Sequence, residues 1–341
     1  MSSLTFLWEF SLGLCVLAAV ALGILVLARV VTVRSGARQE AIRAQLLPAL
    51  LAGEGDVRKL GGIELEIAAD LTCELAELTR GSDREDLLQR AADMGVPRLL
   101  QQRIRSRSAQ TRLTAVEALA LFEDHVGDTA YALDDVNPDV RLAAALALAH
   151  RSDGPSTRLL VDKLKMGSEE HSLLLVSLMS DLAERNPGEV AALLFERDVP
   201  VEAKIAATDA LAEGGGEYAP LLAYMAKESE GEPDLQPRIF RALGRNGHPA
   251  GMEAIFTGLG SDEWAVRASA AEAAGRLGAS GTTARLGELL ADENWWVRYR
   301  AGEALLRLGP RGINALRKAS TDENEFVRGT ASAMLAEGRV A

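Results

Sequence analysis

The sequence predicts an all-α fold: a right-handed α-solenoid of about eight two-helix repeats preceded by one transmembrane helix. Three observations carry this expectation: a helix-forming composition, a charge-free apolar segment near the N-terminus, and a motif that keeps returning at a fixed interval. The chain has 341 residues, long for one compact core, and a repeat array escapes that limit because each unit packs only on its neighbours. Ala, Leu, Arg, Glu and Gly dominate and aromatics make up 4%. β-branched runs at period two are absent, and the whole favours helices. The formal charge of −12 argues against a general grip on nucleic acid or anionic lipid.

Residues 10–28 carry no charge. At about 1.5 Å per residue such a run nearly matches a hydrocarbon core of roughly 30 Å. Residues 30–33 extend it if Arg29 snorkels. The membrane span is therefore expected at residues 10–33, inside an anchor segment 1–34. A cleaved signal peptide is disfavoured: the small-x-small pattern at Ala19, Val20 and Ala21 lies in the middle of the run, and only the acidic Glu9 precedes it. Arg29, Arg34, Arg38 and Arg43 follow the span against a single Glu40. The excess of positive charge predicts a single-pass protein of the cytoplasmic (inner) membrane, with its N-terminus outside and its repeats in the cytoplasm. The two cysteines, Cys15 and Cys73, make no disulfide framework.

The repeat is clearest near the C-terminus, where Val266-Arg267, Val297-Arg298 and Val327-Arg328 recur at intervals of 31 and then 30 residues. Asp262, Asp292 and Asp322 precede them, and alanine-rich runs follow. Upstream, Arg238, Lys204, Arg141 and Arg112 fill the same slot, with a missing member at Leu173 or Leu174. Pro97, Pro155, Pro187, Pro220, Pro249 and Pro310 keep phase with it. Each marks the first turn of a repeat's first helix, where the missing N–H has no intrahelical partner. Asp or Asn then caps the second helix, and Leu243-Gly244, Leu277-Gly278 and Leu308-Gly309 end it through a left-handed glycine. The array is expected over residues 95–341. Residues 35–94 form a helical linker and N-terminal cap, with Ile63, Ile67, Leu71, Leu75 and Leu78 as one apolar stripe.

The Asp-x-x-x-Val-Arg-x-x-Ala-x-x-Ala-Leu pattern resembles the HEAT repeat, in the short variety also called phycobilin-lyase-like. The layout is similar to bacterial membrane-anchored HEAT-repeat proteins. That resemblance implies a membrane-tethered scaffold or adaptor for protein partners, serving a membrane enzyme complex such as a glycosyltransferase. The alternative is a HEAT-type enzyme or enzyme subunit, phycobilin-lyase-like or DNA-glycosylase-like. Deoxyhypusine hydroxylases hold iron through His-Glu pairs, and the chain has no His-Glu dipeptide. The acidic balance disfavours DNA, and the repeat alone does not carry lyase activity. No catalytic residue, metal or cofactor is expected. His125, His150, His171 and His248 are scattered, and Gly214, Gly215 and Gly216 lack the Lys-Ser/Thr of a phosphate loop.

Two clusters are candidate partner sites. Trp264 and Trp295 share a slot three residues before the motif arginine, Trp296 follows, and Phe326 takes the slot of Trp296 in the next repeat. An aromatic row along a solenoid edge suits partner binding, and the alternative for it is packing between repeats. Arg98, Arg103, Arg105, Arg107 and Arg112 form a basic stretch suited to an acidic partner or anionic lipid, or to a solvated face. The recurring Arg and Asp read as stacking elements, with the arginine bridging to the Asp or a turn carbonyl of the next repeat.

Overall fold

The computed structural model describes residues 17, 22, 36–52, 59–151, 153–165 and 173–338. Among these residues every regular element is helical and no strand occurs. They divide into two compact units, one ending at Thr129 and the other beginning at Ala130.

The first unit holds α1 (36–52), α2 (Gly62–Leu78), α3 (Ser82–Met94), α4 (Val96–Arg103) and α5 (Ala109–Leu119). Helix α2 packs on α3 and α4, and α4 on α5. Arg43 of α1 pairs with Glu74 of α2. Arg90 of α3 donates from Nη1 to the Leu50 and Leu51 carbonyls, each at 3.0 Å. These carbonyls lie at the C-terminal end of α1, where the backbone lacks intrahelical donors and a cation is favoured. Helix α2 buries Ala68, Ala69, Leu71, Thr72 and Ala76. The ends of the expected stripe, Ile63 and Leu78, are exposed. A step of four residues overshoots one turn by about 40°, so a stripe drawn in fours rotates off the buried face.

The expected membrane localisation is corrected by the helices themselves. Among the described residues no helix is long and apolar enough to cross a membrane. Helix α2, 17 residues long, would fall short of a hydrocarbon core and carries Glu64, Glu66, Asp70, Glu74 and Glu77 along its length. The single-pass assignment, with cytoplasmic repeats and membrane attachment, is therefore unsupported. The segment that suggested it, residues 10–33, lies outside the described residues apart from Leu17 and Leu22.

From α4 and α5 onward, eight successive pairs of a first and a second helical element follow among the described residues. A 3-10 run, Glu123–Asp134, precedes α6 (Pro138–Ala149). Then come α7 (Thr157–Leu164) and α8 (Leu173–Arg185), α9 (Pro187–Leu193) and α10 (Val201–Glu213), α11 (Ala219–Glu228) and α12 (Gln236–Asn246), α13 (Met252–Gly258) and α14 (Trp264–Leu277), α15 (Thr283–Glu288) and α16 (Trp295–Arg307), and α17 (Pro310–Ala319) and α18 (Glu325–Glu337). In the second unit each of α6, α8, α10, α12, α14, α16 and α18 packs on the next, while α7 meets α9, α11 meets α13 and α15 meets α17. That is a two-layer stack. Its interior is aliphatic: Leu160, Leu178, Leu182, Leu243, Ile255, Leu286 and Leu305 are all buried, each side chain contributing about 1.5–3 kcal/mol by leaving water.

Pro97, Pro187, Pro220 and Pro310 sit in the first turns of α4, α9, α11 and α17, and Pro249 opens a 3-10 turn before α13. Gly278 caps α14 in the left-handed conformation at φ 68°. Gly244 behaves differently from expectation. Helix α12 runs on to Asn246, and Gly247, also at φ 68°, is the cap. Gly244 serves a close approach instead: a Cβ there would stand 2.7 Å from Ala273 Cα, and one on Gly275 would stand 2.7 Å from Ala304 Cα. Late residues of α12 thus meet late residues of α14, and those of α14 meet those of α16, so the second helices stack in the same sense.

The motif arginines close the turn that opens each second helix. Nη1 of Arg112, Arg141, Arg267, Arg298 and Arg328 donates to the carbonyls six and five residues earlier, at 2.8–3.2 Å. Arg141 also reaches the following repeat at the Leu164 carbonyl, 3.1 Å away, and Arg267 reaches it at the Asp292 carboxylate. The first turn residue accepts from the N–H two positions on, as Asp135, Asp292 and Asp322 do at 2.8–2.9 Å. Ser261, not Asp262, holds this slot before α14, with its Oγ 3.2 Å from the Glu263 nitrogen. A second slip occurs in α12. Gln236 lies 31 residues before Arg267, as Gly247 does before Gly278, so Gln236 rather than Arg238 fills the motif slot. Its Nε2 donates to the Ala226 carbonyl at 2.8 Å while the side chain is buried.

Candidate protein-interaction groove

The basic stretch of the first unit is divided between roles. Arg103 lies 3.4 Å from Glu66 and 3.5 Å from Asp70 of α2, and Arg112 closes its turn. Arg98, Arg105 and Arg107 are exposed. Arg103 and Arg112 therefore help to hold the unit together.

The aromatic row also divides. Trp264 and Trp296 line one groove of about 260 Å³ across the second helices α12, α14 and α16. Pro237 and Arg241 contribute from α12, Glu272 from α14 and Arg300 from α16. Trp264 is 46% and Trp296 49% exposed, so each offers half its surface to an incoming group. Trp295 points elsewhere. It stacks on Tyr299, with centroids 5.4 Å apart and planes at 20°, and meets Trp296 edge-on at 4.7 Å. Tyr299 is also edge-on to Trp296 at 6.1 Å. Trp295 and Tyr299 thus brace Trp296 from outside the groove. Phe326 lies under Arg298, whose Cζ is 4.8 Å from the ring centroid. That contact links consecutive repeats through a cation–π interaction.

Local sequence places these rings. Asn294 caps α16, its Oδ1 accepting from the Trp296 nitrogen at 2.9 Å, and so fixes where the first turn begins. Asn324 does the same for Phe326. Around the rings runs a charged ladder. Glu272, buried, pairs with Arg276 at 2.8 Å and Arg300 at 3.6 Å. Glu303 pairs with Arg300 at 2.8 Å and Arg307 at 2.7 Å. Arg245 of α12 pairs with Asp209 of α10. Arg241 stands apart, with a long bond of 3.4 Å from its Nε to the Pro237 carbonyl and no carboxylate within ion-pair reach among the described residues. Burial and the neighbouring Arg238 push its guanidinium below the ordinary arginine range, Glu272 and Asp209 offset this in part, and Arg300 adds to the depression.

A larger cleft of about 560 Å³ opens near α11 and α13, with Tyr224 and Phe240 beside Lys227, Glu230, Glu253 and Asp262. It has no arginine, and its acids outnumber its one lysine. Among the described residues no group of three or more His, Cys, Asp or Glu side chains is arranged to hold a metal ion.

Arg241, Glu272 and Arg300 were not singled out by sequence. A usable signal existed in the 31-residue register. Arg245, Arg276 and Arg307 share one slot, and Arg241, Glu272 and Glu303 share another, so Arg241 reverses the charge of its slot. The misplaced register at Arg238 hid this.

A sequence-family model described as HEAT repeats matches residues 218–305, the stretch that contains α12, α14 and most of α16. The helix pairs above define an all-helical, solenoid-like fold, of which residues 218–305 match HEAT repeats. No protein of curated function matches the chain. Among solved structures it is similar to Kap121p bound to Pho4p, at 14% identity and TM-score 0.48, covering 88% of this chain and 39% of that one. It is also similar to an engineered protein at 16% identity and TM-score 0.34, covering 81% and 78%. Human deoxyhypusine hydroxylase in complex with glycerol aligns at 17% identity and TM-score 0.29, covering 82% of this chain and 100% of that one. The chain thus spans about two-fifths of the Kap121p length.

Proposed function

We propose that this protein is a protein-interaction scaffold, and that an extended segment of a partner lies across the second helices α12, α14 and α16. The single observation behind this reading is the groove between Trp264 and Trp296. Two large rings from adjacent repeats stay half exposed and turn toward one cavity, although neither is needed to cap its helix. Tryptophan is enriched where binding energy concentrates, because it removes much apolar area from water at small entropic cost. A stack of equivalent helices also offers a continuous surface suited to extended chains.

A photo-crosslinking side chain placed at Trp264 or Trp296 in cells tests this. The expected outcome is a discrete adduct of defined mass from these positions, and none from Tyr131, an exposed aromatic outside the groove. The adduct should vanish when the other tryptophan becomes alanine. Adducts of equal yield from all three positions would defeat the proposal.

A further inference from the structure

The departure of Arg241 from its repeat's pattern assigns a specificity to that groove. In α14 and α16 the slot holds an acid, Glu272 or Glu303, that neutralises the arginine one turn later. In α12 it holds Arg241, and the arginine one turn later, Arg245, turns to Asp209 of α10 instead. Helices α12, α14 and α16 together carry eight arginines, two glutamates and neither lysine nor aspartate, in a chain whose net charge is −12. Arg267 and Arg298 are engaged with turn carbonyls, and Arg276, Arg300 and Arg307 share the two glutamates. Arg238 and Arg241 are left without an ion pair among the described residues, and of these two only Arg241 lines the Trp264–Trp296 groove.

We infer that the groove selects an acidic partner segment: an Asp or Glu carboxylate seats on Arg241, and the apolar or proline residue beside it lies between Trp264 and Trp296. This deepens the scaffold reading and rests on it. A guanidinium presents a planar fork that matches the two carboxylate oxygens, and a half-desolvated site strengthens the pair relative to open water. The cavity of about 260 Å³ suits one or two side chains. A cationic ligand is opposed by Arg241 and Arg300. A nucleic-acid backbone is disfavoured because Glu272 lies in the lining, Arg300 is already paired, and the surrounding chain is acidic.

The test pans a random linear-peptide library on the full chain and measures the selected peptides by fluorescence anisotropy. Selected peptides should share an Asp or Glu beside an apolar residue or proline. Changing that acid to its amide, or making Arg241→Gln, should weaken binding by about tenfold or more. Arg241→Glu should abolish it and shift selection toward Lys- or Arg-bearing peptides. The amide exchange on the peptide reads the contact on unaltered protein, so it holds even where a variant melts early. Peptides that need Trp264 and Trp296 but carry no acid, or that bind Arg241→Gln as tightly as wild type, would overturn the acidic specificity and leave the interaction face standing. Peptides indifferent to both Trp264→Ala and Trp296→Ala would overturn the face itself. Tighter binding of a fluorescein-labelled oligouridylate than of any selected peptide, lost on Arg241→Gln, would also overturn the inference.

Discussion

Arg267 of α14 holds Asp292 at the entrance of the next repeat, with Nε 2.7 Å from Oδ2 and Nη2 2.9 Å from Oδ1. The same guanidinium donates from Nη1 to the Ser261 and Asp262 carbonyls. One side chain therefore closes its own turn and ties it to its neighbour. Arg267→Ala leaves a little-exposed carboxylate and two carbonyls without these donors. We expect a loss of roughly 3 kcal/mol in urea denaturation. Arg328→Ala removes only two carbonyl contacts at an exposed turn and should cost about 1 kcal/mol.

The Asp292 carboxyl gives this link a pH dependence. Burial alone would raise its pKa, but the Arg267 hydrogen bonds, the Asn294 N–H and the charges of Arg267 and Arg298 outweigh burial and hold it below the ordinary value. A carboxyl depressed in the folded state contributes stability that is fully present above its unfolded pKa of about 3.9 and is lost as pH falls through the folded value. The stability gap between wild type and Asp292→Asn should stay constant from about pH 8 to 5 and narrow below about pH 4. Melting curves across that range check it, and a gap that widens in acid would refute the assignment.

Two Gly→Ala changes should have opposite signs. A Cβ on Gly275 meets Ala304 Cα at 2.7 Å, whereas one on Gly329 of α18 meets nothing within 4 Å. Gly275→Ala should destabilise by about 1–3 kcal/mol, because backbone must shift to admit it. Gly329→Ala should stabilise by about 0.5–1 kcal/mol through helix propensity and a less free unfolded chain. Paired thermal melts decide both.

Asn294→Ala removes the cap that starts α16 at the tryptophans. A loss of about 1 kcal/mol is expected, together with a measurable change in tryptophan fluorescence as Trp295 and Trp296 lose their fixed first turn. Unchanged emission would mean that the Tyr299 stack alone orients the rings.

Much of the fold was legible because its signals are local and repeated. Proline in a first turn and Asn294 and Asn324 as caps each depend on a few neighbouring residues, whereas the motif arginine, expected to bridge to the next repeat, first of all closes its own turn. The errors came where one or two residues shift the phase. Asp262 resembled the turn acid, but Ser261 accepts the turn N–H. Arg238 resembled the motif arginine, but Gln236 takes the buried position. With that register misplaced, the charge reversal at Arg241 passed unseen. The expected membrane span rested on hydropathy in residues 10–33, and no described helix offers another.

By itself the sequence determined an all-helical chain of paired helices with capped ends, since each follows from short-range backbone chemistry. Only tertiary structure decided which side chains face one another. Trp264 and Trp295 occupy equivalent slots on helices stacked in the same sense, so they point the same way and do not meet across a groove. Trp296, one residue and about 100° further round its helix, turns back toward α14 and forms the groove with Trp264. Periodicity identifies equivalent residues, while a binding groove is built from residues of opposite orientation, and their meeting depends on how adjacent helices are placed.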